Sequence, residues 1–153
     1  MTEKQFWRRI EKHGGDPSAV LEVANTLRQA YDQNLGVICG CRHIGPDIVN
    51  QMYVNVNEDE PNRNGNRYML CYTSRAMANA DPLLTEPCEK VSVRFVIDNA
   101  LNKPVIGGLL FNRHSKNPII VPKQFLDDRM YIDVIKRFVN NDPNPLDMPL
   151  RDK

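Results

Sequence analysis

The sequence predicts an α+β fold: a single domain of helices and short strands with a C-terminal hairpin. Three observations carry this expectation. The 153 residues suit one domain with a core of its own, and no internal repeat divides them. Apolar residues recur at helical spacing near the start and again in the middle of the chain. Between and after those stretches lie short runs of strand formers bounded by Gly, Pro and Asn.

Phe6, Trp7 and Ile10 lie at helical spacing among charged residues, which predicts a short amphipathic helix ended by Gly14-Gly15. Asp16-Pro17 then supplies an N-cap and a first-turn proline for a second helix. Its apolar stripe is Val20, Leu21, Val23, Ala24, Leu27 and Tyr31, and it runs to about Gln33. The segment GVICGCRHIGP, from Gly36 to Pro46, fits a strand or an irregular loop equally well.

Met52 to Val56 alternates apolar and polar residues, and Arg67 to Tyr72 is a second strand-forming run. The polar connection Asn57 to Asn66 makes these two a hairpin with a long exposed loop. Thr73-Ser74 places a hydroxyl to cap a short helix that Asp81-Pro82 stops. Cys88 to Val91 reads as a brief strand, and Ser92 caps a helix carrying Val93, Val96, Ile97, Ala100 and Leu101.

Val105 to Asn112 and Pro118 to Pro122 form two apolar runs around a polar turn, the pattern of a buried β-hairpin, central in the sheet or at its edge. From Lys123, Phe125, Leu126, Met130, Ile132, Ile135, Phe138 and Val139 suggest one helix, or two with a break near Asp127-Asp128. Residues 1–139 are therefore expected to form the domain. Residues 140–153, with three prolines and no periodicity, are expected to be an extended or disordered tail.

Twenty basic residues against 19 acidic ones leave a formal net charge of +1. No uncompensated field is available to hold a nucleic-acid backbone or an anionic membrane. No apolar stretch is long enough to span a bilayer, and the charged start is unlike a signal peptide, so the expected compartment is cytoplasmic and the four cysteines are expected to be thiols.

Cys39, Cys41 and His43 are the tightest cluster of metal-capable residues, with Cys71 or Cys88 as a further ligand if the fold brings it near. The one-residue gap is shorter than the two to four residues between the paired cysteines of zinc knuckles, and the plainer reading is small core hydrophobes. A thiol nucleophile needs an imidazole base, for which His43, His114 and His13 are the candidates. His13 instead suits the end of the first helix as a cap, and His114 a solvated hairpin turn. Gly107-Gly108 lack a phosphate-loop context and read as a bulge or close backbone approach. Glu58-Asp59-Glu60 read as a solvated face, and Phe6 and Trp7 as inward-packed residues beside Arg8 and Arg9.

The stretch from Tyr68 to Ser74, the helix after it, Val91 to Phe95, Gly107 to Asn112 and Ile119 to Lys123 together resemble the N-terminal domain of the SseB (enhanced serine sensitivity) family. The resemblance covers residues 17 to 139 and is sharpest from Tyr68 to Leu126. Where family members place a proline after the strand-ending asparagine, Arg113 stands here. The resemblance implies a compact α+β domain with a mixed sheet, no established enzymatic activity, no cofactor and no catalytic residues to carry over. It also implies a regulatory or protein-interaction role, with another protein as partner. A small-ligand or metal-binding protein using Cys39, Cys41 and His43 is the alternative.

Overall fold

The computed structural model describes residues 2–45, 48–55, 57–60, 63–127 and 140. Helix α1 (Glu3–Glu11) starts in a capping box: the Thr2 hydroxyl accepts from the Gln5 N–H while the Gln5 side chain accepts from the Thr2 N–H. Its buried face is Phe6, Trp7 and Ile10. Asp16 caps a 3-10 turn at Pro17–Ala19, which leads into α2 (Val20–Asp32). The expected second helix thus begins one tight turn later than its cap.

The segment left open between strand and loop forms β1 (Gly36–Cys39) and β2 (Cys41–Gly45), separated at Gly40. β2 pairs with β3 (Ile48–Gln51) as a separate two-stranded hairpin. β4 (Tyr53–Asn55) and β5 (Arg67–Tyr72) make the expected antiparallel hairpin, with Tyr53 opposite Met69. Side-chain bonds tie together the described part of its connection. The buried Asn66 side chain accepts from the Asn57 N–H and donates to the Asn57 and Glu60 carbonyls.

Ser74 caps α3 (Arg75–Asn79), β6 (Glu89–Ser92) follows, and Ser92 caps α4 (Val93–Asn102). The expected hairpin is β7 (Ile106–Phe111) and β8 (Ile119–Pro122), after which Lys123–Phe125 make a 3-10 turn. The helical residues expected from Met130 to Val139, and the tail beyond Asn140, lie outside the described residues.

The main sheet runs β6-β1-β5-β7-β8, with β4 also on β5. Among the described residues only the β5–β7 pairing is parallel; the others are antiparallel, so the sheet is mixed as expected. Strand alternation splits the interior. Met69, Cys71, Leu109, Phe111, Ile119 and Val121 join α1, α2 and α4 in the larger core. Leu70, Tyr72 and Leu110 face a smaller one with Ala78 and Met77 of α3. No helix among the described residues is long and apolar enough to cross a membrane.

Interactions between distant residues hold the helices on this sheet. Trp7 donates through Nε1 to the Gly36 carbonyl, and Glu3 accepts from the Gly36 N–H while pairing with Lys90. Arg94 on α4 donates to the Tyr31 and Asp32 carbonyls, capping the end of α2, and lies over the Tyr31 ring. Lys123 is buried yet satisfied: its ammonium donates to the Ala100 and Lys103 carbonyls, at the negative end of α4.

Gly107 and Gly108 sit where the β5–β7 register slips, which is the bulge their sequence predicted. A Cβ on Gly107 would overlap the Gly65 carbonyl oxygen, and one on Gly108 the Val121 carbonyl oxygen; the Tyr68 ring lies against both. Gly108→Ala is therefore expected to destabilise the domain by about 1–3 kcal/mol, measured by urea unfolding, because its obstacle is a neighbouring backbone that cannot rotate aside.

Candidate functional site

Among the described residues, three places collect chemistry-bearing or exposed apolar residues, and their surroundings decide between them. The first is the end of the parallel β5–β7 pair, where the chains turn out of the sheet. Asn112 adopts a left-handed conformation there, with φ 54°, and its N–H donates to the Cys71 carbonyl. Its side chain closes a ring with Thr73: Thr73 N–H donates to Oδ1 at 3.0 Å, and Nδ2 donates to the Thr73 hydroxyl at 2.9 Å. That hydroxyl in turn donates to Glu11 of α1 at 2.5 Å. Thr73 thus joins strand ends to a helix, and Ser74 alone does the capping.

Beside this ring the Asp81 carboxylate, fully shielded from solvent, receives Arg113 on both oxygens at 3.0 and 2.5 Å. It also accepts from the Tyr72 hydroxyl at 2.6 Å and the Leu83 N–H at 3.0 Å. Burial pushes its pKa up, but the hydrogen bonds from Arg113, Tyr72 and Leu83 outweigh this and hold it below the usual carboxylate range. Burial and the neighbouring Asp81 push the Tyr72 phenol well up. The donors and acceptors of this cluster are spent on one another, which is how a structural knot is built.

The second place is the cysteine group. Cys39 of β1 and Cys71 of β5 stand directly opposite, with their sulfurs 4.0 Å apart, and all of Cys39, Cys41 and Cys71 are buried. The Cys41 thiol donates to the Cys39 carbonyl. Cys88 is half-buried and packs with the smaller core. The Cys71 thiol and burial push Cys39 up, burial pushes Cys41 up to about 11, and burial raises Cys88. Within the closed sheet, that is the reverse of what a thiolate nucleophile requires. Among the described residues no three of His, Cys, Asp and Glu stand where one metal ion could be held. The side chain of His43 lies outside the described residues.

The remaining sequence candidates fall apart in space. His13 does not cap α1 through its imidazole; Nε2 faces Glu22 at 3.2 Å on α2. His114 is exposed in the β7–β8 turn, and Glu58, Asp59 and Glu60 are exposed, with Glu60 paired to Arg63.

The third place is a groove of about 280 Å³ between β8 and the first turn of α2. It forms because the α1–α2 connection passes tightly over the β7–β8 turn. A Cβ on Gly14 would stand 2.7 Å from the Asn117 carbonyl oxygen, and Gly15, at φ +79°, abuts the Asn117 side chain. This approach sets His13 and Asp16 beside Val20 and Val23 of α2, across from Pro118, Ile119, Ile120 and Pro122 of the β8 segment. The wall is apolar and the rim polar. Hydrogen bonds from the Ser18 hydroxyl and N–H hold the Asp16 carboxyl below its usual range.

β8 ends the sheet order, and among the described residues it pairs with β7 alone. Ile119 and Val121 face the core, whereas Ile120 points to the other side and is 57% exposed. The sequence reading did not single out these groove residues. A signal was present: prolines on both sides of the short Ile-Ile-Val run mark an edge strand, because proline cannot donate to a ladder. No family model matches the chain, and neither a curated protein nor a solved structure does.

Removing the Asp81 carboxylate strands the buried Tyr72 hydroxyl and leaves Arg113 without its carboxylate partner. Asp81→Ala is expected to cost about 2–4 kcal/mol in urea unfolding. Because its folded pKa is lowered, the contribution of Asp81 is complete above the pKa of the unfolded carboxyl and is lost as pH falls through the folded value. Between about pH 5 and about pH 2 the wild type should therefore lose stability more steeply than Asp81→Asn.

Proposed function

We propose that this chain is a non-enzymatic protein-interaction domain, as its resemblance to the SseB family implies, and that it takes an extended segment of a partner protein along β8. The observation that carries the reading is the apolar groove lying beside a sheet edge. An added strand would pair with the outer backbone groups of β8 and alternate its side chains. Side chains of that strand would enter the groove against Val20 and Val23 and pack on the exposed Ile120 that borders it.

The size of the groove favours a side-chain socket over a small-molecule site. Its 280 Å³ lies at the foot of the roughly 300–1,000 Å³ range of ligand pockets. Its few polar groups lie at the rim, where they add orientation more than affinity. A near-neutral net charge supports contact recognition over long-range steering. The internal pairing of Asp81, Arg113, Tyr72 and Thr73 supports the non-enzymatic part.

Affinity purification of tagged protein from its native cells tests this when wild type is run against two variants. Ile120→Asp alters the exposed face, and Val20→Glu fills the groove at a helix N-terminus, where an acidic side chain is tolerated. Both variants should keep a Tm near that of the wild type, while recovery of a stoichiometric partner falls at least about tenfold, equivalent to about 1.4 kcal/mol. A partner retained equally by both variants would place the interaction elsewhere.

A further inference from the structure

We propose that Cys39 and Cys71 form a reversible dithiol–disulfide pair, oxidised by exchange with a low-molecular-weight disulfide. The inference stands on backbone register. The Gly40 N–H donates to the Leu70 carbonyl, so Gly40 and Leu70 occupy a hydrogen-bonded position of the antiparallel ladder. The adjacent pair, Cys39 and Cys71, therefore occupies the non-hydrogen-bonded position, where facing residues approach most closely.

The Cα separation of such a pair, about 4.5 Å, falls at the near limit of the roughly 4.4–6.8 Å that a disulfide spans. The sulfurs stand 4.0 Å apart, so rotation about the two Cα–Cβ bonds suffices to join them without a change of register.

The placement also has a mechanical consequence. β1 and β5 share a ladder of just two residue pairs, Ile38 with Tyr72 and Cys39 with Cys71. Beyond it, β1 leaves β5 at Gly40 and the chain returns at Met52, which bonds to both Gly40 and Leu70. A bond between Cys39 and Cys71 would staple the shortest ladder on β5 at the base of the β2–β3 hairpin.

The exchange balances with no metal or cofactor. One cysteine sulfur attacks the small disulfide, breaking its S–S bond and releasing the first small thiol. The second cysteine sulfur then displaces the other half as a second small thiol and completes the protein S–S bond. The two thiol protons end on the two released small thiols, and the protein loses two electrons to the small disulfide. Both sulfurs are shielded in the closed sheet, so exchange proceeds through opening of the short ladder and is slow under native conditions.

The test incubates the full chain, under native conditions, with glutathione disulfide and maps tryptic peptides without reduction. The expected product links peptide 29–42 to peptide 68–75, and fragmentation places the bond at Cys39 rather than Cys41. Dithiothreitol should reverse it, and the oxidised protein should melt about 5–15 °C higher than the reduced protein. Protein in which Cys88 carries the small thiol while those peptides remain unlinked overturns the proposal. So does a bond to Cys41, or a Cys39–Cys71 bond that forms only after urea unfolding. Mapping the wild type avoids dependence on a cysteine variant that fails to fold.

Discussion

Strand β5 carries three others at once, and the rest of the domain depends on that sharing. Along one edge it pairs with β4 and then β1 end to end; along the other it lies parallel to β7. A parallel neighbour has to return from the far end of the sheet, and the chain does this through α3, β6 and α4. The close packing of β7 on this strand requires the bare backbone of Gly107 and Gly108, over which the Tyr68 ring lies. The same parallel pair brings Tyr72, Thr73, Asn112 and Arg113 to one end of the sheet. The polar knot there follows directly from the strand arrangement.

Charged side chains in this molecule are used largely as caps and ties. Arg94 closes the end of α2, Lys123 closes the end of α4, Glu3 holds the N–H of Gly36, and Arg113 neutralises a shielded carboxylate. Each places a charge against unsatisfied backbone groups or an opposite charge, where it does more than an exposed pair would. A shielded Asp81 is tolerated because all its bonds are made within a few ångströms by Tyr72, Leu83 and Arg113. Such a network gives rigidity at the strand ends, and it leaves these groups committed to structure.

How much of this could be read from the sequence depended on whether the signal was local. The caps at Ser74 and Ser92, the stripe of α1, the bulge at Gly107 and the β7–β8 hairpin all follow from neighbouring residues, and the structure contains them. The β2–β3 hairpin was harder because glycines interrupt its apolar run and leave strand and loop equally compatible. The pairing of Cys39 with Cys71 is a register fact between residues 32 apart, and no spacing reveals it. The ring of Thr73 with Asn112 likewise appears only when two strand ends meet. The edge position of β8 was legible in its flanking prolines but needed the sheet order to settle it.

The proposed recognition role of β8 has to be compatible with protection of the same edge. Edge strands invite uncontrolled pairing, and short length with flanking prolines blunts that tendency. β8 has both, being four residues long with Pro118 before it and Pro122 at its end. Yet it also keeps Ile120 exposed and an apolar groove beside it, features that protection alone would remove. A strand this short admits only a few backbone bonds, so an incoming segment must gain most of its affinity from side chains that fit the groove. If β8 takes a partner segment as proposed, selectivity would rest on Val20, Val23 and Ile120 more than on the backbone, and an extended peptide lacking matching apolar residues would gain little there.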